Sequence, residues 1–529
     1  MRSHPEGPAV IRQRHPEWQE HHLRWSWLLD SFEGGERYRQ AIYGVDSRGL
    51  PVRNLVRHKR EYPDPRDPQA ITAGLDMATF ATDDDYELRR ARTPVPTFVA
   101  EAVGTHLSRI YSREVKRVGP DCLRDWWSDV DGHGTSIDQW MGEVVAPLLL
   151  VLGQLDLLMD HPEAPEGQPI ETHADVERLG LDRCRASFIL PMDMLWWRLD
   201  DSGHLYEECL VREWVESDTG PLARFRHWTD RGWTLYDDDG RVLHSADHPY
   251  GRVPIVRVFD GRKYRCRNVG QSRYEGVAER QREYYNRDSE LILSDTTQAH
   301  PLLQGPEDYV QADGTIPIGP SWLLPKKKNS MGGAVSYEGF DIVDFPKEGA
   351  ESLRRNKADL REDVDRDSAL VRPAGRDGLS QSGLAKAIDH SDGNNRLARI
   401  ARLLARAEQQ AADLALIILA DGDPSKEDRQ AVSIVYPTEF DLFTAGEVAG
   451  VVGDFQAIAA RAGALPLAET QMLGRLLRLC LPGMSDAQYD AYDAEIARYL
   501  EAQARRRESL PPAALEPKAQ WIFSDKNSL

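Results

Sequence analysis

Two long polar helical segments on either side of a short β-rich stretch constrain this chain more than any other feature. Arg273–Ala299 contains no proline and, after Gly276, no glycine, so it predicts a helix of about 40 Å that ends before Pro301. Glu348–Leu370 predicts a second helix, crowded with charges of both signs. Opposite charges at helical spacing stabilise a helix by only about 0.2–0.5 kcal/mol per pair, so both helices need neighbouring helices for support.

The stretch between the two helices, Leu302–Phe345, has a different pattern. Its short apolar runs are separated by turn signals at Asp313–Gly314 and Lys326–Gly333, which predicts several short strands. These runs are Ile316–Ile318, Trp322–Leu324, Val335–Tyr337 and Ile342–Val343. Ser272–Pro373 is therefore expected to form two helices that hold a small β-rich insert.

Residues 1–271 predict a mixed region of helices and strands. Apolar residues at three-to-four spacing predict helices near Trp18 to Phe32 and at Phe98–Arg113. Ile137–Met159 is expected to be one buried helix with a kink at Pro147. Between residues 187 and 259 the period changes to two, which predicts an antiparallel meander. Its turns are expected at Asp218–Gly220, Asp230–Gly232 and Asp239–Gly240.

The segments after the second polar helix are a loop and further helices. Val371–Ser382 is rich in glycine, arginine, aspartate and serine, which is typical of a loop. Leu384–Ala420 is the longest helical pattern of the chain, with a weak point at Asp392–Gly393. Its apolar stripe comprises Leu397, Ile400, Leu404, Ala407, Ala411 and Leu414. With helical turns also in residues 446–507, the expected fold class is α+β and predominantly helical.

The charge balance limits what the chain does with nucleic acid. Asp and Glu number 86 against 66 Lys and Arg, which gives a net charge of −20. Proteins that grip DNA gain affinity when clustered cations release counterions from the phosphates. Tight binding to DNA over a large surface is therefore not expected, whereas passage of DNA without a firm grip stays open.

Cysteine usage and apolar segments bear on the compartment. The five cysteines lie far apart without CxxC spacing, which argues against a disulfide framework and a zinc site and favours a reducing compartment. Met1 to Glu20 lacks the apolar core of a signal peptide, and no apolar stretch is long enough to span a bilayer. No membrane role is expected.

No sequence motif indicates an enzyme, a cofactor or a metal site. The chain lacks GxxxxGK[ST], HExxH and GxSxG, so it is not expected to hydrolyse ATP alone. Asp129–Gly134 resembles the start of a calcium loop, but Trp140 occupies the position where such a loop needs glutamate. His15, His21 and His22 have no acidic or cysteine partner in the pattern and are expected to be solvated.

The order of these elements, together with several stretches of sequence, resembles the portal proteins of tailed bacteriophages. The order is a mixed region, a long helix, a β-rich insert, a second long helix, a flexible loop, a very long helix and a helical end. The similar stretches are Trp27–Tyr43 (WLLDSFEGGERYRQAIY), Thr97–Arg113 (TFVAEAVGTHLSRIYSR), Asp129–Pro162, Pro301–Gly319, Ser382–Asn395 (SGLAKAIDHSDGNN) and Tyr436–Asp441 (YPTEFD). The resemblance spans nearly the whole chain, and the ordered set carries it rather than any single motif.

The resemblance implies a portal-type architecture. Residues 1–271 would be the wing, 272–300 and 346–372 the two stem helices, and 301–345 the clip. Residues 373–395 would hold the tunnel loop, and 396–445 a long wing helix with a return strand. Residues 446–507 would form a helical crown, and 508–529 a flexible tail.

The resemblance also implies a structural, non-enzymatic function. The chain would form a homo-oligomeric ring of twelve copies at one capsid vertex of the virion, assembled in the host cytoplasm, as the conduit for genome packaging and ejection. Its implied partners are the terminase large subunit, a head-tail adaptor and the major capsid or scaffold protein. Double-stranded DNA would pass through the ring without tight or sequence-specific binding.

Two sets of residues are the candidate contacts. The candidate DNA-channel residues of the tunnel loop are Arg372, Arg376, Asp377, Ser380, Gln381 and Lys386. The candidate docking residues of the clip are Trp322, Lys326, Lys327 and Lys328. The three lysines also fit a solvated turn, and the alternative is contact with an acidic partner or a phosphate backbone.

Two other classes of function stay open. The first is a phage-encoded, metal-dependent nucleic-acid enzyme built on Asp83–Asp85, Asp129–Asp131 or Asp237–Asp239, each of which also fits a turn or a solvated edge. The second is another virion assembly protein, such as a capsid or baseplate component. Such proteins are usually richer in strands and lack a pair of long helices around a small insert.

Overall fold

The computed structural model describes most of the chain, in two compact units. The first unit comprises Met1–Leu370 and Arg399–Thr438, and the second comprises Val371–Ala398 and Glu439–Leu529. Apart from isolated positions, the described residues are 7–46, 51–56, 83–162, 179–299, 348–368, 383–420, 424–438 and 486–508, with five short strands between 302 and 343. Helix exceeds strand in this mixed α and β structure, which is compatible with the expected α+β class.

The first unit begins with a group of helices. They are α1 (Gly7–Val10), α2 (Pro16–Glu33), α3 (Gly35–Gln40), α4 (Asp83–Arg92) and α5 (Phe98–Ile110), with a two-stranded hairpin of β1 (Ile42–Val45) and β2 (Pro51–Arg53). Pro16 starts α2, because a proline at the first helical position loses no hydrogen bond. Gly34, at φ +70°, ends it. The aromatic rings of Trp25 and Trp27 are buried at this face.

The apolar run Ile137–Met159 is not one helix. After β3 (Lys116–Val118) and α6 (Asp121–Ser128), it begins with α7 (Ile137–Gln139), a π-helical turn (Trp140–Val145) and α8 (Ala146–Leu152). Gly153, in the left-handed region, then ends the helix, and β4 (Gln154–Asp160) follows. A buried strand and a buried helix have equally continuous apolar sequences, so the pattern alone did not locate the boundary. Pro147 lies at the start of α8 rather than at a kink.

Two antiparallel sheets follow. The meander proper is a five-stranded sheet of β6 (Met194–Leu199), β7 (Tyr206–Ser217), β8 (Gly220–Thr229), β9 (Gly232–Tyr236) and β10 (Val242–Asp247). The outer strands of the predicted 187–259 range, β5 (Arg185–Ile189) and β11 (Ile255–Phe259), pair instead with β4 in a three-stranded sheet. The prediction of one meander was therefore too broad. The two sheets share a core that includes Trp197, Trp228 and Ile255.

The predicted helix pair and insert are present. Helix α9 (Glu275–Ala299) is followed by strands β12 (Leu302–Pro306), β13 (Leu323–Lys326), β14 (Asn329–Met331), β15 (Ala334–Ser336) and β16 (Asp341–Val343), and then by α10 (Glu348–Asp367). In the insert β12 lies between β13 and β16, parallel to the former and antiparallel to the latter, and β14 pairs with β15.

The longest helix is α11 (Gly383–Leu419), which is continuous through Asp392–Gly393. The second half of the predicted tunnel-loop region 373–395 is therefore helical. Glycine in a helix costs only about 1 kcal/mol relative to alanine, and packing overrides that preference. Short helix α12 (Lys426–Ala431) and strand β17 (Ser433–Val435) follow, and β17 pairs with β3. Of the predicted crown, the structure describes α13 (Asp486–Glu508), while most of 446–485 and the tail after Glu508 lie outside the described residues.

Candidate functional site

The root of helix α9 is embedded in the first unit by buried amide side chains. Gln281 Oε1 accepts a hydrogen bond from Val99 N over 3.0 Å, and Gln281 Nε2 donates to Ser31 O over 2.8 Å. Val99 is at the start of α5 and Ser31 at the end of α2, where backbone groups have no partner inside their own helices. One carboxamide therefore caps two helix ends and fixes α9 against both.

A second amide, one helical turn further along, joins α9 to the β1–β2 hairpin region. Asn286 Oδ1 accepts from Val56 N over 2.8 Å, and Asn286 Nδ2 donates to Asn54 O over 2.9 Å. Nearby, the ring of Tyr285 lies edge-on to that of Tyr38, and both rings are fully buried. Buried polar groups that are hydrogen-bonded in this way specify one geometry, because a shifted helix would leave them unpaired.

Helix α10 runs antiparallel to α9 and is joined to it by three ion pairs. From the root outward, Arg280 pairs with Asp367 and Lys357 with Asp288. Further out, Arg354 Nη2 lies 2.6 Å from Asp295 Oδ1. From the root outward, the residue numbers of the paired side chains rise along α9 and fall along α10, as an antiparallel pair requires. Burial lowers the pKa of Lys357, but the Asp288 carboxylate more than offsets that effect, and the pKa is raised.

Arg361 ties α10 to the first helices of the unit. Its Nη2 lies 2.7 Å from Glu101 Oε2 on α5, and its guanidinium lies over the ring of Phe98, 4.4 Å from the centroid. Planar cations stack favourably on aromatic faces, which adds to the ion pair. Helices α9 and α10 thus both contact α5.

The outward face of α10 is exposed and charged. Only Ala350 and Val364 of its twenty residues are buried hydrophobic residues. Arg355 and Arg366 are 79% and 73% exposed, and each has an acidic neighbour on the same helix, Glu351 and Asp363. Exposed pairs of this kind contribute about 0.5 kcal/mol at most, so α10 gains little from its own outward face.

The residues predicted to contact DNA and partners fall mostly outside the described part of the chain. Arg372, Arg376, Asp377, Ser380 and Gln381 lie there, as do Trp322, Lys327 and Lys328. Lys386 is in α11 and Lys326 ends β13, although the described part does not extend to their side chains. Both sets therefore remain predictions.

Two of the aspartate clusters, Asp129–Asp131 and Asp237–Asp239, cap loops. Asp131 Oδ1 accepts from His133 N over 2.8 Å, and Asp129 Oδ1 accepts from Gly134 N over 2.9 Å. In the β9–β10 turn, Asp237 Oδ1 accepts from Arg241 N over 2.7 Å. Carboxylates that accept backbone hydrogen bonds within one turn are typical of turn structure. Asp83–Asp85 begin α4, and their side chains lie outside the described part.

The sequence pattern did not reveal that Glu408 fixes the long helix α11 through buried polar contacts. The predicted stripe is buried, with Ile400, Leu404 and Leu414 at most 1% exposed, but the same face also buries the carboxylate of Glu408. Glu408 pairs with Arg117 of β3 and accepts a hydrogen bond from the Tyr436 hydroxyl over 2.6 Å. No local pattern signals these contacts, because the three residues belong to different elements.

No protein-family model matches the chain, and no curated protein sequence matches it. Among the helices that the structure describes, none combines the length and the apolar character that a bilayer span requires.

Proposed function

We propose that the chain is the portal protein of a tailed bacteriophage. Twelve copies would form a ring at one capsid vertex, through which the genome is packaged and ejected. The ring would dock the terminase large subunit during packaging and head-tail adaptors afterwards, and would contact the major capsid or scaffold protein. In this role the chain is a virion component and a conduit rather than an enzyme.

The helix hairpin α9–α10 carries this proposal. Its root is fixed by Gln281 and Asn286, its far end holds the β-rich insert, and the outward face of α10 is exposed and charged. A helix with so little buried apolar surface gains most of its stability from neighbouring elements. In a closed ring every copy supplies that neighbour to the next through the same heterologous contact.

The charge balance supports transit of DNA rather than binding. With 86 acidic against 66 basic side chains, the chain is not built to neutralise many phosphates at once. A lining with balanced or negative charge lets DNA slide, because no row of cations holds it at each phosphate. The energy for movement would come from a separate ATPase, the terminase.

Imaging of the assembled protein tests the proposal directly. Mass photometry and negative-stain images of the full chain should show closed rings of about twelve copies. The variant Arg355→Glu/Arg366→Glu, which reverses two charges on the outward face of α10, should reduce the ring population at least tenfold while the melting temperature of the chain stays within about 2 °C.

Matched charge reversals give the control. Arg231→Glu/Arg241→Glu changes the same net charge at two exposed turns of the meander, where the side chains are 89% and 78% exposed, and should leave ring formation unchanged. If the native chain stays monomeric under all assembly conditions, the proposal is wrong. If both double variants lose rings equally, net charge rather than the face of α10 controls assembly.

The insert provides a separate test of docking. Replacing Leu302–Phe345 by a short glycine-serine linker should leave the ring intact and abolish binding of the terminase large subunit and of adaptors. A capsid-lattice protein would show no such selective loss. Persistence of terminase binding after the replacement would place docking elsewhere on the chain.

A further inference from the structure

Three side chains of metal-ligating type meet beside the base of helix α9. Glu20 and His21 are adjacent on α2, and Cys266 lies in the connection between β11 and α9. The Glu20 carboxylate oxygen, a His21 ring nitrogen and the Cys266 sulfur all lie within 4.8 Å of one another. Ligands that share one tetrahedral zinc ion at about 2.0–2.3 Å lie roughly 3.5 Å apart, so small side-chain rotations bring these three atoms onto one ion.

The histidine of this cluster is largely buried, and one of its ring nitrogens has no hydrogen-bond partner among the described residues. The His21 side chain is 12% exposed, and this buried nitrogen is Nε2. A buried ring nitrogen without a partner costs free energy, and metal coordination is one way in which such a nitrogen is satisfied. The sequence indicated a solvated histidine with no acidic or cysteine partner, and the structure overturns that expectation.

A second buried polar atom lies on the same face of α2. Glu17, one helical turn before His21, buries its Oε2 atom without a hydrogen-bond partner among the described residues. The Glu17 and Glu20 carboxylates repel each other, and a cation bound at Glu20 would reduce that repulsion.

Charged groups of both signs lie near His21. Lys263 has the largest electrostatic effect of them on the imidazole, and Glu20 and Glu275 act against it. The nearby cation Arg24 is already engaged, since its Nε lies 2.9 Å from Glu275 Oε1 and its Nη2 2.5 Å from Glu279 Oε1. Lys263 lines the same small cavity as His21, and its flexible stem lets the ammonium move away from a bound cation.

We propose that Glu20, His21 and Cys266 bind a divalent, thiophilic metal ion of the zinc class. His21 Nε2, the Cys266 thiolate and one Glu20 oxygen supply three ligands, and water supplies the fourth. Mixed sulfur, nitrogen and oxygen sets suit zinc, whereas magnesium and calcium prefer oxygen alone. On binding, the Cys266 thiol loses its proton to solvent and the sulfur bonds to the ion.

The proposed ion would cross-link two segments of the chain beside the start of α9. Helix α2 and the connection that contains Cys266 would be joined through the metal nine residues before α9 begins at Glu275. The ion would therefore add a cross-link beside the ion pairs of Arg24, and it would hold the start of α9 against α2. This inference is independent of the proposed portal function, because a monomer and a ring contain the same three ligands.

Cobalt substitution tests the site on the full chain. The protein is stripped with a chelator, desalted under reducing conditions and titrated with Co²⁺, which reports a thiolate ligand by a charge-transfer band in the near ultraviolet. One equivalent of Co²⁺ should produce the band, and Zn²⁺ should displace it. Cys266→Ser should abolish the band, and His21→Ala should weaken binding of Co²⁺ by roughly tenfold or more.

The chain offers a matched control for each ligand. Cys122→Ser removes an exposed free thiol, and His22→Ala removes the neighbouring histidine on the same helix; both variants should retain the band and its titration midpoint. Glu20→Gln, at a side chain that is 66% exposed, keeps the fold and should still lower the affinity. Absence of the band in the native chain, or a band that survives Cys266→Ser, would overturn the proposal, as would loss of the band in Cys122→Ser.

Discussion

Arg117 and Glu408 lie 291 residues apart in the sequence and form a buried, bidentate ion pair. Arg117 Nε donates to Glu408 Oε1 over 2.5 Å, and Arg117 Nη2 donates to Oε2 over 3.2 Å. Arg117 Nη1 also lies 2.9 Å from Asp138 Oδ1, and the Tyr436 hydroxyl completes the network. Burial raises the pKa of Glu408 even though Arg117 and Tyr436 favour its charged form. The pair fixes helix α11 against β3, because neither charge tolerates burial alone.

Removing one member of this pair should destabilise the chain strongly. We expect Glu408→Ala to lower the free energy of unfolding, measured by urea denaturation, by about 3–5 kcal/mol, since it leaves the Arg117 charge buried with only Asp138 beside it. Arg399→Ala, at an exposed position of the same helix, should change it by less than about 0.5 kcal/mol. The double variant Arg117→Met/Glu408→Leu should recover most of the loss. A double variant as unstable as the single one would show that the charges are not the cause.

Two aspartates on β4, the buried Asp156 and the half-buried Asp160, make stability depend on pH. Burial raises the pKa of Asp156 to about 6 from its ordinary 3.8, although Arg257 and the Tyr206 hydroxyl, which donates over 3.1 Å, act in the opposite direction. Burial likewise raises the pKa of Asp160 to about 6. A raised pKa means that the folded state binds the proton more tightly. Each contribution to stability is therefore complete below the unfolded pKa and is lost as the pH rises through about 6.

The variant Asp156→Asn should remove half of this dependence. Each pKa unit corresponds to about 1.4 kcal/mol, so the variant should be more stable than the native chain at neutral pH by up to about 3 kcal/mol, and the difference should vanish below pH ~4. Melting temperatures across this range provide the measurement. Asp156→Asn/Asp160→Asn should flatten the profile, and Asp201→Asn, at an exposed turn, should leave it unchanged. An unaltered slope in the double variant would contradict the assignment.

Because Gln281 caps two helix ends, a substitution that preserves its volume should still lower the free energy of unfolding strongly. Gln281→Met keeps the volume but leaves Val99 N and Ser31 O without their partner, so we expect a loss of about 2–4 kcal/mol in the free energy of unfolding. Glu279→Gln, on the exposed side of the same helix, weakens one ion pair with Arg24 and should cost less than about 1 kcal/mol. Equal losses in the two variants would mean that Gln281 does not hold the root of α9.

Helices and turns that depend on a short stretch of sequence could be predicted from the sequence pattern alone. The bounds of helices α9 and α10 were predicted to within about three residues, because a long segment without proline or internal glycine after its first turn favours a helix. The meander turns at Asp230–Gly232 and Asp239–Gly240 were also located, since left-handed and tight backbone positions select these residue types. The pairing of β4, β5 and β11 was not predicted, because these strands come together from distant parts of the chain.

The candidate sites depend on such distant contacts and were correspondingly hard to predict. Gln281, Glu408 and His21 were indistinguishable in sequence from polar residues on solvated faces. Their partners lie in other elements of the fold, so no spacing in the sequence indicates their contacts. Their roles become visible only from their burial and contacts in the structure. The proposed DNA and docking residues were inferred from the resemblance instead, and most of them fall outside the described residues.

A close backbone crossing at Gly153 links the end of α8 to the base of α9. Gly153 has φ +76°, and a Cβ at that position would lie 2.4 Å from Gln271 C and 2.4 Å from Ser272 N. From the other side, a Cβ on Gly270 would lie 2.1 Å from Gly153 O. The obstructing atoms are backbone, which cannot move aside as a flexible side chain does.

Substitution at this crossing should therefore be among the most damaging in the described part of the chain. We expect Gly153→Ala to lower the free energy of unfolding by about 3 kcal/mol or more, since it combines a left-handed alanine with a backbone clash. Gly104→Ala makes the same chemical change in the middle of α5, where no heavy atom lies within 4 Å of the new Cβ and φ is helical, and should stabilise the chain by about 0.5–1 kcal/mol. Thermal denaturation of the two variants beside the native chain gives opposite shifts if the crossing restricts the backbone as described. A Gly153→Ala variant with native melting temperature would show that α8 and α9 have room to separate.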